Sequence, residues 1–404
     1  MLKLKLHWQI LIALILSVFF GILFTDYVRY VAWMGDVFLR ALRMIIVPLI
    51  FSSIVSGVTG LGSGENLGRM TLKTILYYLS TSLFAILTGL VLVNLIKPGV
   101  GADLGLSAVV EGLDVGRDSF GQTLLKIIPT NIIESLASTD LPAIIFFAII
   151  FGYFTTKVTP AYRQPIVNFF NGTFEIMMKI TMFVIRFTPL GIFGIVSAIV
   201  ADHSGNLLVI FGRMGIYMLT VVGALSIHAF ITLPLLVRLI GRSNPVMHAR
   251  GMSVPLLTAF STSSSSATLP LTMEALEFNS GVSNKTTSFV LPLGATINMD
   301  GTALYQCVAV LFIAQAYGME LSILQQVVVM ITALLASIGA AGIPMAGLVI
   351  ITVILSAVGL PLEGVGLILA VDRILDMFRT TVNVWSDSCG AVIIAKTEGE
   401  ELKV

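Results

Sequence analysis

Long runs of apolar residues limit the environment in which this chain can fold. Six runs of roughly 20 residues or more fill its first 241 positions, and a run of that length spans a bilayer as an α-helix. We place these spans near residues 8–25, 29–57, 68–97, 122–157, 164–200 and 206–241. The fourth is interrupted by IIPTN and STDLP, which predicts more than one helical piece. Charged residues make up 11% of the chain, against about 25% in soluble domains, so the sequence predicts an all-α polytopic membrane protein.

Other readings of the composition are weak. The N-terminal segment MLKLKLHWQILIALILSVFF has the basic start and apolar run of a signal peptide, but no small-x-small cleavage site follows. We therefore interpret it as a retained first span. The net charge of +1 gives no indication of nucleic acid binding, and Cys307 and Cys389 lack a metal or redox spacing. The four histidines are scattered and suggest no metal site: His7, His203, His228 and His248.

Lysine and arginine predict the orientation, because cytoplasmic loops carry an excess of them. Nine basic residues fall on one side if the N-terminus is cytoplasmic: Lys3, Lys5, Arg69, Lys73, Lys157, Arg163, Arg238, Arg242 and Arg250. The loop around Lys97 and Arg117 is an exception. Lys396 and Lys403 bring the C-terminus to the cytoplasmic side as well. Short loops favour the plasma membrane of a bacterium or archaeon, the inner membrane where there are two.

The last third of the chain contains an internal repeat. Two apolar segments are broken by small residues and a proline, in STSSSSATLP with Pro270 and in ASIGAAGIPMAG with Pro344. Asp300 follows the first proline by 30 positions, and Asp376 follows the second by 32. This predicts two copies of a hairpin followed by a crossing helix, the second inverted relative to the first. Inverted repeats with broken helices indicate a secondary transporter, although a polar loop or a helix contact would also use small residues.

Polar residues share one face of the final predicted helix. Asp376, Arg379, Thr380, Asn383 and Asp387 cover an arc of about 100°. Charged residues at membrane depth normally face a partner or a cavity, which favours a binding site. The alternative is a purely structural Arg–Asp pair at i, i+3.

The preceding helix, LPLGATINMDGTALYQ, combines glycine with oxygen-bearing side chains. Gly294 and Asn298 favour a broken helix, which frees carbonyl groups. Together with Asp300 these are hard oxygen ligands, suited to an alkali cation and poor for zinc.

Four motifs carry a resemblance to a known family: SSSSATLP, NMDGT, AAGIPMAG and DMFRTTVNVWSD. The chain resembles the glutamate transporter family of dicarboxylate/amino acid:cation symporters, in particular its prokaryotic sodium-coupled aspartate/glutamate type. The motifs occur in the family's order along essentially the whole chain. The resemblance implies eight transmembrane helices, two re-entrant hairpins, inverted repeats, a homotrimer and an elevator mechanism. It also implies a scaffold of residues 1–67 and 98–205, and a transport domain of residues 68–97 and 206–404. Within the latter the expected elements are helix 6, hairpin 1 (about 243–277), helix 7 (about 284–316), hairpin 2 (about 321–359) and helix 8 (about 361–396).

The resemblance also implies site residues. Those expected to bind the substrate are Ser264, Ser265, Thr302, Ile343, Gly347, Asp376, Arg379, Thr380 and Asn383. In this set Arg379 would pair with a side-chain carboxylate and Asp376 with an ammonium group. Those expected to bind three sodium ions are Tyr78, Thr81, Ser82, Gly294, Thr296, Asn298, Asp300, Ser337, Ile338, Ala340, Asn383 and Asp387. Asp300, Asp376, Asp387 and Arg379 carry a net −2, which three sodium ions and an acidic amino acid would neutralise.

The predicted function is therefore sodium-driven symport of L-aspartate or L-glutamate across the bilayer, without catalysis. A proton-coupled glutamate or C4-dicarboxylate symporter is the alternative. Ser263, Gln306 and Met377 depart from what is common in relatives, which leaves the pace of transport and any proton or potassium coupling open. A serine hydrolase would need a base that neither repeat supplies, and an anion channel would carry steady current without coupled substrate.

Overall fold

The computed structural model describes residues 6–60, 68–102, 128–138, 141–202, 207–337 and 346–404. In the first half of the chain the α-helices are α1 (Leu6–Leu23), α2 (Trp33–Gly60), α3 (Gly68–Ile96), α4 (Ile132–Ser138), α5 (Leu141–Lys157), α6 (Pro160–Ile185) and α7 (Thr188–Asp202). The second half contains α8 (Leu207–Ile227), α9 (Leu233–Leu239), α10 (Pro245–Gly251), α11 (Ser253–Thr262), α12 (Ser265–Ala275), α13 (Asn284–Ile297), α14 (Asp300–Ala316), α15 (Ile323–Ser337), α16 (Ala346–Ala357) and α17 (Val365–Thr397). The described residues contain no strands, so the predicted all-α class is confirmed.

The helices pack in two groups. One group consists of α1, α2, α5, α6 and α7, and the other consists of α3, α8, α13, α14 and α17. Helix α16 contacts both α2 and α14, and therefore lies between the groups. The division into a scaffold and a transport domain stays a prediction, as does their relative movement.

Three helical stretches among the described residues are long and apolar enough to cross a membrane: Arg69–Ile96, Gly212–Leu239 and Asn284–Ala316. A fourth candidate is the pair α6 and α7, which is bent by 52°. Large apolar side chains such as Phe19, Phe169 and Phe230 are exposed, which a lipid environment tolerates and water does not. The count of eight crossings stays a prediction.

Both predicted hairpins are pairs of packed helices. In the first, α11 ends at Thr262 and Ser263 adopts a left-handed conformation with φ of 52°. The Ser264 hydroxyl then accepts a hydrogen bond from the Ala267 N–H at 3.2 Å and caps α12. In the second, α15 packs against α16, and the tip between them lies outside the described residues.

Helix α14 forms the centre of the second group. All its residues except Gln315 are buried, and α13 ends two residues before it. The predicted break at Asn298 is therefore present, and it places the N-terminus of α14 inside the protein.

The C-terminal end of α17 is attached to the start of α3 by ion pairs. The Glu398 carboxylate lies 2.8 Å from Arg69 Nη2 and 2.6 Å from Lys73 Nζ. Hydrogen bonds from these two residues, Arg69 foremost, lower the pKa of the Glu398 carboxyl to about 2.

We expect Glu398→Gln to destabilise the protein at pH 7 by no more than about 1 kcal/mol, because the pairs are partly exposed. A carboxyl whose pKa is depressed by folding stabilises the folded state above its ordinary pKa, and the effect is lost as the pH falls through the folded value. The difference in Tm from the wild type should therefore shrink between about pH 4.5 and pH 2. Thermal unfolding in detergent tests this, with the exposed Glu401→Gln as the control. A difference that grows on acidification would contradict it.

Candidate functional site

The polar face predicted on α17 is buried as a unit. Asp376, Arg379, Thr380, Asn383 and Asp387 are each at least 94% buried. Arg379 Nη2 lies 2.6 Å from Asp376 Oδ1, and Arg379 Nε lies 3.1 Å from the same oxygen. The i, i+3 pair considered as an alternative is thus present, inside a larger polar face.

Two residues that the sequence analysis did not select complete the surroundings of Arg379. Its Nη1 lies 3.4 Å from Asp372 Oδ1, which also accepts a hydrogen bond from the Tyr305 hydroxyl at 2.7 Å. The Tyr305 ring lies under the guanidinium, with Cζ 4.4 Å from the ring centroid. Asp372 is one turn before Asp376, so extending the predicted polar face by four residues would have found it.

The second hairpin also reaches Arg379. A methyl group added to Gly347 would meet Arg379 Nη1, so the backbone of α16 lies directly against the guanidinium. Ile343, the other substrate residue predicted in this hairpin, lies outside the described residues.

Asn383 and Thr302 join α17 to the N-terminus of α14. Asn383 Oδ1 accepts from the Gly301 N–H at 2.8 Å, and its Nδ2 donates to Thr302 Oγ1 at 3.0 Å. The first hairpin contacts α17 through Phe260 and Phe378, whose ring centroids are 5.2 Å apart. Helix α12, which begins at Ser265, also packs against α17. The role of the tip serines Ser264 and Ser265 stays a prediction.

Asp300 lies at the centre of a second buried cluster. Its Oδ1 accepts from the Ser82 hydroxyl at 2.6 Å and lies 3.3 Å from Thr81 Oγ1. Its Oδ2 accepts from the Ser386 hydroxyl at 2.6 Å and lies 3.1 Å from His228 Nε2. The structure therefore brings together Thr81, Ser82 and Asp300 as predicted, and adds Ser386 and His228.

Asp387 forms a third cluster next to the second. Its Oδ1 accepts from Asn298 Nδ2 at 2.8 Å, and Asn298 Oδ1 lies 3.5 Å from Thr81 Oγ1. The Tyr78 hydroxyl donates to the Val290 carbonyl at 2.7 Å. Asn298 thus contacts both the Asp300 and the Asp387 clusters. Their role as cation sites stays a prediction.

The remaining predicted cation ligands are less well described. Ser337 is buried and donates to the Leu334 carbonyl at 2.8 Å. Thr296 lies in α13, and its side chain is not described. Ile338 and Ala340 lie outside the described residues, so the third cation site stays a prediction.

The site as a whole contains two more charged residues than the sequence analysis counted, with the same net charge. Asp372 adds a negative charge, and Arg373, whose Nη1 lies 3.7 Å from Asp376 Oδ2, adds a positive one. Four aspartates and two arginines leave a formal charge of −2 in a setting where unpaired charge is costly. The arrangement is suited to cations and to an anion that also carries an ammonium group.

We expect Gly294→Ala to disrupt the Asp387 cluster. The added methyl group would meet Asp387 Oδ1 and would lie 2.7 Å from the Tyr78 hydroxyl oxygen, so one of them must move. Because the sequence predicts Gly294 and Asp387 as cation ligands, activation by the cation should weaken at least about 10-fold, as it does when groups around metal ligands are changed. The control is Gly215→Ala in α8, where nothing lies within 4 Å of the new methyl group. Equal activation curves for both variants would contradict the assignment.

Buried charges at broken helices within an apolar helical protein define the class of secondary transporters. Comparison with known proteins specifies the family. The profile of the Sodium:dicarboxylate symporter family matches residues 6–397, and the chain belongs to that family.

Named relatives cover nearly all of the chain. The chain is 38% identical to excitatory amino acid transporter 3 of Oryctolagus cuniculus, over 99% of this chain and 87% of the relative. It is 36% identical to a proton/glutamate-aspartate symporter of Escherichia coli, over 98% and 93%. It is 35% identical to a proton/sodium-glutamate symport protein of Geobacillus stearothermophilus, over 98% and 96%. The protein is therefore a membrane transporter and not an enzyme, and it belongs among symporters of acidic amino acids and dicarboxylates.

Proposed function

We propose that this protein couples inward sodium flow to the uptake of an acidic amino acid, L-aspartate or L-glutamate. The observation that carries the proposal is the buried pair Arg379 and Asp376 beside two oxygen-rich carboxylate clusters. The pair offers one charge of each sign. An acidic amino acid supplies the complement, a side-chain carboxylate for Arg379 and an ammonium group for Asp376.

The substrate would enter by exchange of ion pairs. Arg379 and Asp376 neutralise each other at 2.6 Å, so neither is left as an isolated buried charge before binding. An amino acid that inserts between them gives each residue a new partner of the correct sign. Asp372 and the Tyr305 ring would keep the guanidinium in place during the exchange.

Sodium ions are the proposed cargo of the Asp300 and Asp387 clusters, with a third ion near Thr296 and Ser337. Because Asn298 bonds to Asp387 and lies next to Thr81, occupation of one cluster would orient ligands of the other. The second hairpin, which touches Arg379 through Gly347, would close over a fully loaded site. Homotrimeric assembly, elevator movement of the second helix group and cytoplasmic termini belong to the same proposal.

Proton coupling is the second candidate, since the relative from Escherichia coli is named a proton/glutamate-aspartate symporter. Uptake of labelled L-aspartate into proteoliposomes separates the two candidates. An imposed sodium gradient should drive accumulation, and a proton gradient without sodium should not. Unlabelled L-glutamate should compete, whereas succinate, which lacks an amine for Asp376, should compete poorly. Accumulation driven by protons alone would contradict sodium coupling and favour the second candidate.

A further inference from the structure

A fully buried histidine approaches the Asp300 cluster from the turn between α8 and α9. His228 Nε2 lies 3.1 Å from Asp300 Oδ2, although 72 residues separate them in the chain. Polar and ionisable residues at membrane depth are rare and generally functional, so this contact requires an explanation. We propose that His228 is a positioning residue that orients the Asp300 carboxylate for sodium, an inference that rests on the proposed sodium coupling.

The hydrogen-bond network assigns the tautomer of His228. Its Nδ1 is buried without a hydrogen-bond partner among the described residues, whereas its Nε2 faces a carboxylate oxygen. A buried N–H without an acceptor is unfavourable, so the N–H that meets the carboxylate belongs on Nε2. His228 Nε2 therefore donates to Asp300 Oδ2.

The two carboxylate oxygens of Asp300 accept hydrogen bonds from different kinds of donor. On Oδ1 the donors are the hydroxyls of Thr81 and Ser82, which can rotate and present a lone pair to a cation. On Oδ2 one donor is the imidazole N–H, which can donate but cannot coordinate a cation. His228 thus fixes Oδ2, and sodium is directed to the Oδ1 side, where the Asn298 amide oxygen also lies.

The local backbone conformation places His228 next to Asp300. His228 is the first residue of a π-helical turn, His228–Thr232, between α8 and α9. π-helical turns are rare in proteins, and those that occur often lie at functional sites. Pro234 lies two residues after the end of this turn. It has no N–H to donate to the carbonyl of Phe230, four residues earlier. Helix α17 contacts the same turn, since Trp385 Nε1 donates to the Ala229 carbonyl at 3.0 Å.

The test compares two substitutions of His228. His228→Leu removes the donor, and His228→Gln keeps an N–H donor of similar reach. For His228→Leu we expect the sodium concentration for half-maximal uptake to rise about 10- to 100-fold, as when a donor to a metal ligand is removed. The KM for aspartate at saturating sodium should stay within about 2-fold of the wild type, and His228→Gln should restore most of the sodium affinity.

His248→Leu is the matched control, because His248 is equally buried but bonds to Ser280 and Ser388 rather than to Asp300. Its half-maximal sodium concentration should match the wild type. Two results would overturn the positioning role and leave sodium coupling intact. In the first, the half-maximal sodium concentration of His228→Leu equals that of the wild type. In the second, it rises by no larger a factor than the KM for aspartate does. Wild-type uptake that ignores sodium would overturn both the positioning role and sodium coupling.

Discussion

Replacing Arg379 with glutamine should lower uptake of L-aspartate at least about 100-fold. The variant would lose the proposed charge-assisted, bidentate contact with the substrate carboxylate. Asp372 and Asp376 would also lose the guanidinium that they share. Removal of one partner of a buried ion pair costs about 3–5 kcal/mol. Arg379→Lys keeps the positive charge, so the variant should fold. It lacks the planar guanidinium that can bond to both oxygens of a carboxylate, so it should still lose most of the transport. Arg40→Gln, exposed on α2, is the control and should transport normally.

Loss of folding could imitate this result, so each variant needs an independent check. The double variant Asp372→Asn with Arg379→Gln removes one of the two orphaned charges and should fold better than the single variant. Sodium-dependent thermal stabilisation of either variant would show that the Asp300 cluster is intact. Uptake by folded Arg379→Gln within about 3-fold of the wild type would contradict the assignment of Arg379, since removal of a substrate contact of this kind costs far more.

Asp300→Asn should have the second large effect. Donors surround both carboxylate oxygens, from Ser82, Ser386 and the His228 ring, and asparagine would replace one acceptor with an amino group that faces them. The negative charge proposed to attract the cation is lost as well. The sodium concentration for half-maximal uptake should rise at least about 100-fold, given the cost of unpaired buried groups.

The measurement is initial uptake against external sodium at constant ionic strength. Asp36→Asn, which makes the same substitution at an exposed position of α2, should follow the wild-type curve. Sodium activation of Asp300→Asn that matches the wild type would remove Asp300 from the cation site. Full uptake without any sodium would do the same.

Much of the fold follows from local sequence signals. The serine run and Pro270 predicted the first hairpin, because small residues and a proline interrupt an apolar helix where a capped new helix begins. Asn298 and the NMDGT motif predicted the break before α14. The 3.6-residue period placed Asp376, Arg379 and Asn383 on one buried face.

Contacts between distant segments were harder to predict. His228 lies in a strongly apolar span, and only the π-helical turn next to Pro234 directs it to Asp300. Ser386 falls off the face predicted on α17, yet it bonds to Asp300 because α17 and α14 cross there. Helical periodicity describes a single helix and contains no information on which neighbour its faces meet. Asp372 is different, since it lies on the same helical face one turn before Asp376, and continuing the period by one turn would have included it.

We propose that sodium at the Asp300 and Asp387 clusters assembles the site for an acidic amino acid. Binding of L-aspartate to the purified protein, measured against sodium with choline as the replacement, tests it most directly. Linkage requires the Kd to fall as sodium rises, with a log–log slope of about −2 to −3 if two or three ions bind with the substrate. A Kd that stays constant when choline replaces sodium would contradict the account.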